Sequence, residues 1–437
     1  MYKEAKYISI EEALSFIKSG DNIVTGLGPC EAGLFMENLH TIADRVKNVC
    51  ISNCNPFHQS EIYKPEYQDS FKVDGWFFAP QLRKAQEKGN GSMSYIPNNL
   101  HFASTKRLDH VKPNIYIGAA SMPDKNGFIS LSLSNTYERR MIDAADLVML
   151  EVNPNMPYTL GDLQVHVSEV DYLIKADYPV PIVPETDFNE KDRVIGEIIA
   201  DMVPDGACIQ LGIGGIPNAV GVYLEDKKDL GVHTELITTQ MMKLAKKGVI
   251  NGRRKQINRG KMVATMVMGT QELYDYVDYN PSVAIMDGAW VNDPYTIAQN
   301  DNQVSINTTL EIDLTGQCCS ESIGSRQFSG SGGQSDTAQG AQMSKNGKSI
   351  IALYSTAMVK NKETGEKEEI SKIVTQLKPG AAVTLSRNDV DIVVTEYGKA
   401  ELRGTNLRER VEKLIAIAHP KFRDELRRQA VEVGIII

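Results

Sequence analysis

A single carboxylate, Glu235, follows a glycine-rich turn in an arrangement that could support acyl-transfer chemistry. The turn reads Gly-Ile-Gly-Gly-Ile-Pro at residues 212–217, between an apolar run at 207–211 and a helix-like stretch at 218–224. A strand, a tight turn and a helix N-terminus present free backbone N–H groups that can hold an anion. A second strand-like run then carries Glu235 to the same sheet edge. We therefore expect oxyanion donors and an acid able to attack a carbonyl to lie side by side.

A second glycine-rich loop, Ser-Gly-Ser-Gly-Gly at residues 329–333, is a candidate for another wall of the site. Its closely spaced glycines let the backbone approach a ligand. Read alone, the loop is also typical of a surface hairpin, so both interpretations stay open. Glu396, after an apolar strand-like run, is either a site residue or an acid paired with a nearby base.

The glycine turn also fits the opening of the dinucleotide-binding pattern, with Gly212 and Gly214 as the first two glycines of G-x-G-x-x-G. Glu235 would then stand near the place of the acid that binds a ribose. Pro217 occupies the third glycine position, where close helix–strand packing favours Gly or Ala. The second glycine loop has no role in that scheme, so a nicotinamide enzyme is the less favoured interpretation.

The elements that must position these residues show an alternating strand–helix order. Stretches of helical period alternate with short apolar runs, which is typical of a mostly parallel sheet; examples of the runs are residues 114–118, 262–268 and 349–353. The Pro-rich segment 178–184 breaks both periods and predicts a connector. We place a first α/β domain at 1–188 and a second, carrying Glu235, at 189–437.

Two pairs of segments indicate an internal duplication. Residues 17–28 resemble 202–214, and residues 146–152 resemble 391–397, in the same order along the chain. We therefore predict two tandem, structurally similar open α/β domains with mostly parallel sheets. Because ligands in such sheets bind beyond the carboxyl ends of the strands, the active site is expected at the interface of the domains.

Composition excludes several other classes of protein. The 437 residues carry a formal net charge of −9. This charge argues against a surface that binds nucleic acid, because phosphate binding needs a concentrated basic face. No run approaches the roughly 18 apolar residues of a membrane span, and the N-terminus lacks a secretion signal's apolar core. The six cysteines and seven histidines show no metal-binding spacing and no disulfide framework. We expect a cytoplasmic protein without a metal.

Four segments together resemble the class I coenzyme A transferases, and within them the acetyl-CoA hydrolase/transferase branch that includes 4-hydroxybutyrate CoA-transferase. These segments are residues 212–220, 231–235, 330–333 and 395–398. The resemblance implies that Glu235 becomes a glutamyl–CoA thioester. Positions expected to bind coenzyme A or the oxyanion are Gly212, Ile213, Gly214, Gly215, Ile216, Asn307, Gly330, Gly332 and Gly333.

The resemblance also implies an activity. Coenzyme A would move by a ping-pong mechanism between an acyl-CoA and a short-chain carboxylate, with acetyl-CoA or butyryl-CoA and 4-hydroxybutyrate as the best guess. Hydrolysis of acetyl-CoA, and transfer to butyrate, propionate or itaconate, stay open. The family further implies no permanently bound cofactor, with coenzyme A as substrate, and a homodimer or larger assembly.

One departure from the family pattern concerns the acyl substrate. Related enzymes commonly continue Met-Ile-Ser-Asp-Gly after the glutamate, whereas residues 236–240 read Leu-Ile-Thr-Thr-Gln. The missing glycine and acid leave the covalent chemistry intact but bear on substrate choice. Glu31 lies in a second segment where substrate choice could differ, and Glu31 and Glu396 are candidates for the site wall.

Overall fold

The computed structural model describes residues 6–360 and 365–436, which form two α/β halves. Within these residues each half is built on one eight-stranded sheet. All neighbouring strands of the first sheet are parallel. In the second sheet only the edge pair β26–β27 (Ile392–Thr395 and Gly398–Glu401) is antiparallel. The prediction of two tandem α/β domains with mostly parallel sheets is confirmed.

The first half supplies ten strands and five α-helices among the described residues. Its strands are β1 (Lys6–Ile8), β2 (Asn22–Thr25), β3 (Val49–Asn53), β4 (Phe71–Gly75), β5 (Met93–Tyr95), β6 (Ile115–Ala120), β7 (Phe128–Ser130), β8 (Leu147–Val152), β9 (Gln164–His166) and β10 (Tyr172–Lys175). Its helices are α1 (Ile10–Ser15), α2 (Gly33–Asn38), α3 (Pro80–Glu87), α4 (Ala103–His110) and α5 (Glu138–Ala144). The sheet order is β1-β10-β8-β6-β2-β3-β4-β5.

The second half has the sheet order β16-β14-β12-β11-β17-β22-β26-β27. Its remaining strands are β11 (Cys208–Leu211), β12 (Gly231–His233), β13 (Leu236–Ile237), β14 (Met262–Ala264), β15 (Met266–Val267), β16 (Val283–Ile285), β17 (Gln303–Thr308), β18 (Glu311–Asp313), β19 (Cys318–Cys319), β20 (Ser322–Ile323), β21 (Arg326–Gln327), β22 (Lys348–Ala352), β23 (Thr356–Lys360), β24 (Lys367–Ser371) and β25 (Ile373–Val374). Its helices are α6 (Glu190–Met202), α7 (Gly215–Tyr223), α8 (Thr239–Lys246), α9 (Gln271–Val277), α10 (Gly288–Val291), α11 (Pro294–Ile297), α12 (Gln334–Met343), α13 (Leu407–Ala416) and α14 (Arg423–Glu432).

The two sheet orders show where the predicted duplication holds. β2 and β11 occupy equivalent positions, since each is flanked by three further strands on one side, so the first pair of segments is correctly matched. β8, however, is the second strand beyond β2, whereas β26 is the third strand beyond β11. The match of residues 146–152 with 391–397 is therefore wrong by one strand. Both are strands inside a sheet with mostly buried residues, and a continuous apolar sequence does not specify which neighbour such a strand pairs with.

One apolar core spans both halves, beside a further core within each half. Leu133 of the first half and Ile285 of the second belong to the same buried cluster. The backbone crosses between the halves as well, because the N–H of Val267 donates to the carbonyl of Leu133 at 2.8 Å. β10 ends at Lys175 and α6 begins at Glu190. The domain boundary near residue 188 stays a prediction, because a shared core marks no sharp division.

Candidate active site

Glu235 lies directly beyond the carboxyl end of β12, between that strand and β13. Its backbone carbonyl accepts hydrogen bonds from the N–H groups of Thr265 at 3.1 Å and Met266 at 3.0 Å. Thr265 separates β14 from β15. The apolar run at residues 262–268 is therefore interrupted at Thr265, whose N–H donates to the Glu235 carbonyl. The carboxyl ends of parallel strands are where ligands bind in such sheets. The chain therefore fixes this residue at the expected place.

The carboxylate of Glu235 contacts the N-terminus of α12. The N–H of Gly333, the residue before that helix, donates to Oε2 at 2.6 Å. A Cβ at position 333 would lie only 2.2 Å from Oε2, so this approach requires glycine. Gly332 has a φ of +52°, in the left-handed region that favours glycine. The second glycine-rich loop thus brings a backbone donor onto the acid.

Burial raises the pKa of Glu235 to about 7. The N–H of Gly333 lowers the pKa, the charge of Asp336 raises it, and the side chain of Asn292 lowers it. Asp336 lies in the first turn of α12 and contacts the first half, because its Oδ1 is 2.8 Å from Nδ1 of His101. A carboxyl group that titrates near neutral pH inside a cavity is a candidate functional group.

A cavity of about 290 Å³ opens over the Glu235 carboxylate and has walls from both halves. Asn55 and Phe77 line it from the first half. From the second half it brings together Glu235 with the predicted residues Gly212, Ile213, Asn307, Gly330, Gly332 and Gly333. This placement agrees with an active site at the interface of the two halves.

A second cavity of about 260 Å³ continues along the glycine turn and shares Ile213 and Pro217 with the first. Gly214, Gly215 and Ile216 line this second cavity. Gly214 has a φ of +118° and precedes α7, so the predicted strand–turn–helix is present. The predicted residues therefore line two neighbouring cavities.

Asn307 is fixed between the sheet and α12. Its Nδ2 donates to Oγ1 of Thr337 at 3.0 Å, and its Oδ1 accepts from Nε2 of Gln210 at 3.4 Å. Thr337 belongs to α12 and Gln210 to β11. Because both partners are buried, Asn307 presents one defined orientation at the cavity wall.

The loop at residues 330–333 is held by contacts with the first half. The Oγ of Ser331 donates to the carbonyl of Asn98 at 2.5 Å, and its N–H contacts Oη of Tyr95 at 3.4 Å. A Cβ at Gly330 would lie 3.0 Å from the ring of Phe77, so glycine allows this close packing. The surface-hairpin interpretation is therefore wrong.

Glu31 and Glu396 do not belong to the walls of either cavity, which corrects their expected placement. Oε2 of Glu31 accepts hydrogen bonds from the N–H groups of Phe57 and His58, each at 3.0 Å. Burial raises the pKa of Glu31 to about 8. Glu396 accepts from Ser355 through both its N–H and its Oγ at 2.8 Å, and its Oε1 lies 3.0 Å from Nζ of Lys191. The interpretation of Glu396 as an acid paired with a nearby base is therefore confirmed. Both acids accept hydrogen bonds from nearby backbone N–H groups. The sequence does not distinguish this structural role from a catalytic one.

Several site residues lacked any sequence signal that singled them out. Asn292 contacts Glu235 from the end of α10, and Asn55 and Phe77 reach the cavity from the first half. Asp336 lies in the first turn of α12, just after the glycine loop. Each is distant in sequence from Glu235, so only the tertiary fold brings them together.

Three other features of the described residues concern metal ligands, a thiol near Glu235 and membrane spans. In residues 6–360 and 365–436 no group of three or more His, Cys, Asp or Glu side chains is arranged to hold a metal ion. Burial raises the pKa of the Cys54 thiol well above its ordinary value, and the nearby charge of Glu235 adds to this effect. Within the same ranges, no helix combines the length and apolar character needed to cross a bilayer.

Comparison with known proteins shows the family to which the chain is similar. Residues 2–184 match the acetyl-CoA hydrolase/transferase N-terminal domain, and residues 269–430 match the C-terminal domain of the same family. The 4-hydroxybutyrate coenzyme A transferase of Clostridium kluyveri is 41% identical over 98% of this chain and 97% of its own length. The succinyl-CoA:cyclohexane-1-carboxylate CoA transferase of Geobacter metallireducens is also 41% identical, over 96% of this chain and 94% of its own.

A solved structure shows the same fold. RipA from Yersinia pestis superposes with a TM-score of 0.90 at 35% identity, over 99% of this chain and 98% of its own. Both halves and the cleft between them are included in a match of this extent. The comparison therefore covers every element that positions Glu235.

Proposed function

The chain belongs to the acetyl-CoA hydrolase/transferase family and is a CoA-transferase, and we propose that it works through a covalent thioester on Glu235. One observation carries the proposal. The Glu235 carboxylate faces the cavity between the halves while the N–H of Gly333 holds its Oε2 at 2.6 Å. This leaves Oε1 as the oxygen that attacks.

The proposed reaction begins when Oε1 of ionised Glu235 attacks the carbonyl carbon of an acyl-CoA. The carbon–sulfur bond breaks, which gives a mixed anhydride and the CoA thiolate. The thiolate then attacks Cδ of Glu235 and forms the thioester, and the bond from Cδ to the bridging oxygen breaks. The first carboxylate leaves with that oxygen. An acceptor carboxylate runs these steps in reverse and regenerates the glutamate.

Backbone donors stabilise the charge that develops in these steps. A carboxylate is a weak nucleophile, so the tetrahedral oxyanions need preorganised hydrogen-bond donors. One such donor is typically worth about 3–4 kcal/mol of the activation barrier. The Gly333 N–H is already in place for an oxyanion on Glu235, and the turn at Gly212 lines the same cavity.

The cavity favours a short acyl group as substrate. Phe77, Leu236, Met266 and Met268 give it an apolar lining, and its volume is about 290 Å³. Asn55 adds one polar side chain from the first half. We propose acetyl-CoA or butyryl-CoA as donor and 4-hydroxybutyrate as acceptor, in line with the C. kluyveri relative. No other bound cofactor is required by this scheme.

Trapping the intermediate tests the proposal. Borohydride should inactivate the enzyme only after acyl-CoA is added, and peptide mass mapping should then show a modification at Glu235. Glu235→Gln should abolish both transfer and modification. Glu272→Gln is the matched control, because Glu272 is an exposed acid that pairs with Lys246. Normal transfer by Glu235→Gln would refute the covalent role.

Steady-state kinetics separate transfer from hydrolysis. A CoA-transferase should give parallel double-reciprocal lines when acyl-CoA and acceptor are varied, and CoA release should depend on added carboxylate. A panel of acceptors, including acetate, propionate, itaconate and 4-hydroxybutyrate, defines the preferred acid. Release of CoA at the same rate without any acceptor would favour the hydrolase instead. The homodimer and the cytoplasmic location stay predictions; light scattering checks the first.

A further inference from the structure

Asn55 occupies the position in the first half that Glu235 occupies in the second. The first sheet runs β5-β4-β3-β2 and the second runs β16-β14-β12-β11, so β3 and β12 are equivalent neighbours of the matched strands β2 and β11. Asn55 lies two positions beyond the last residue of β3, and Glu235 lies two positions beyond the last residue of β12. Both residues line the cavity between the halves. The duplicated fold therefore brings an amide from one half and the proposed nucleophile from the other to the same cavity.

Asn55 differs from the other amide side chains of this cavity in its hydrogen bonding. Nε2 of Gln334 donates to the carbonyl of Thr308 at 3.1 Å. Oε1 of Gln210 accepts the N–H of Ile306 at 3.0 Å, and Asn307 is fixed as described above. Within residues 6–360 and 365–436, the half-buried side chain of Asn55 bonds to no protein group. Its amide is therefore available to a molecule in the cavity.

The backbone conformation of Asn55 does not by itself explain the amide. Its φ is +51°, in the left-handed region, where asparagine is tolerated better than most residues. Asn48 has the same kind of conformation at the other end of β3, with a φ of +56°. Asn48 is exposed and does not line the cavity, so it shows the backbone preference without the cavity. The two asparagines together separate a turn-forming role from a ligand-binding one.

The charge of the cavity restricts the ligand that the Asn55 amide can bind. Glu235 is the one ionisable residue among its described lining residues, which include no Lys, Arg or His. A second carboxylate on a substrate would lose its hydration without gaining a cationic partner, and it would also repel Glu235. A hydroxyl group carries no charge, and an amide can both donate to it and accept from it.

We propose that Asn55 is a specificity-determining residue that hydrogen-bonds a hydroxyl group on the acyl chain, so that the site takes hydroxy acids in preference to unsubstituted or dicarboxylic acids of the same length. The inference rests on the proposed acyl transfer at Glu235. The carboxyl end of the acid reacts at Glu235, and its chain extends toward the first half, where the hydroxyl meets the amide. An acid without the hydroxyl leaves the amide unpaired, and this penalty is the source of the discrimination.

Three four-carbon acceptors that differ only at the fourth carbon test the proposal. 4-Hydroxybutyrate ends in a hydroxyl, butyrate in a methyl group and succinate in a second carboxylate. The kcat/KM for each acid is measured with acetyl-CoA as donor, and calorimetry shows that each variant is folded. Asn55→Gly keeps the left-handed backbone and removes the amide, whereas Asn55→Leu keeps the volume without hydrogen-bonding groups. Asn48→Gly is the matched control.

Wild type should prefer 4-hydroxybutyrate to butyrate by about tenfold, and to succinate by at least about 10²-fold. Asn55→Gly should bring the first ratio close to one, Asn55→Leu should favour butyrate, and Asn48→Gly should keep the wild-type ratios. A purely structural role of Asn55 would change kcat/KM for all three acids alike. Unchanged ratios in folded Asn55→Gly, or equal use of the three acids by wild type, would overturn the proposal.

A separate measurement distinguishes failure of the proposed function from failure of this inference. Wild type and Asn55→Gly are each treated with borohydride after acetyl-CoA alone, before any acceptor is present. Both should be inactivated, because Asn55 takes no part in bond making at Glu235. Absence of inactivation in wild type would refute the thioester, and with it the inference that rests on it.

Discussion

Replacing Gly333 by alanine isolates the contact on which the proposed chemistry depends. Gly333 has a φ of −92° and a ψ of 16°, so its backbone conformation is open to alanine. The added Cβ would lie 2.2 Å from Oε2 of Glu235 and 2.3 Å from Nδ2 of Asn292. Both atoms are the ends of side chains, which can move without disturbing the sheet. Gly333→Ala should therefore fold and yet displace the nucleophile.

The size of the effect follows from the distance. An ordinary contact of a Cβ is at least 3.4 Å, so Oε2 must retreat by about 1 Å from its present position. A misplacement of about 1 Å can cost about 10²-fold in rate. Loss of the Gly333 hydrogen bond on its own costs about 10²- to 10³-fold in kcat, or about 3–4 kcal/mol. We expect kcat to fall by at least about 10²-fold.

The assay is CoA transfer from butyryl-CoA, with calorimetry to show that the variant is folded. Gly91→Ala provides the matched control, because Gly91 is exposed and its Cβ would meet no atom closer than 3.9 Å. The control should keep wild-type kcat and Tm. A Gly333→Ala enzyme with kcat within about threefold of wild type would refute the assignment of this N–H to the reaction.

Three further predictions concern buried groups. Glu235→Gln should increase the free energy of unfolding at pH 8 by up to about 3 kcal/mol and much less at pH 5, measured by urea denaturation. The pKa of Glu235 in the folded protein is raised from 4.5 to about 7. The contribution of protonated Glu235 to the free energy of unfolding is therefore lost as the pH rises through 7. For the same reason kcat/KM should fall about tenfold per pH unit below 7 in a pH–rate profile, and a flat profile would contradict it. Tyr178→Phe should lower stability by about 1–3 kcal/mol, because the Tyr178 hydroxyl binds both Glu151 at 2.7 Å and the N–H of Gly33 at 3.0 Å; an unchanged Tm would contradict this.

The local elements around Glu235 could be predicted from the sequence because short-range rules determine them. The apolar run at 207–211 forms β11, the glycines form the turn, and α7 begins at Gly215. A backbone conformation that is set by neighbours within a few positions can be predicted from the sequence. The glycine at position 214, which has a φ of +118°, is an example. The α/β class could be predicted from the alternation of short apolar runs with stretches of helical period.

Long-range relations could not be predicted in this way. Asn292 meets Glu235 only because α10 and α12 pack against the end of β12. The pairing of β8 within its sheet is likewise set by tertiary packing, which explains the one-strand error in the duplication. The sequence could not separate a site role from a structural one for Glu31 and Glu396. A carboxylate that binds backbone N–H groups or a nearby base has the same sequence context as a catalytic one.

The second glycine loop couples the two halves of the protein to the chemistry. Ser331 bonds to Asn98 of the first half, and two residues later Gly333 bonds to the nucleophile. Asp336 then contacts His101 of the first half from the first turn of α12. The donor to Glu235 is therefore bracketed by two contacts across the cleft. Because a hydrogen bond weakens steeply with distance and angle, any separation of the halves that moves this loop also weakens the oxyanion donor. The proposed reaction therefore depends on contacts from the first half as well as on the position of Glu235 itself.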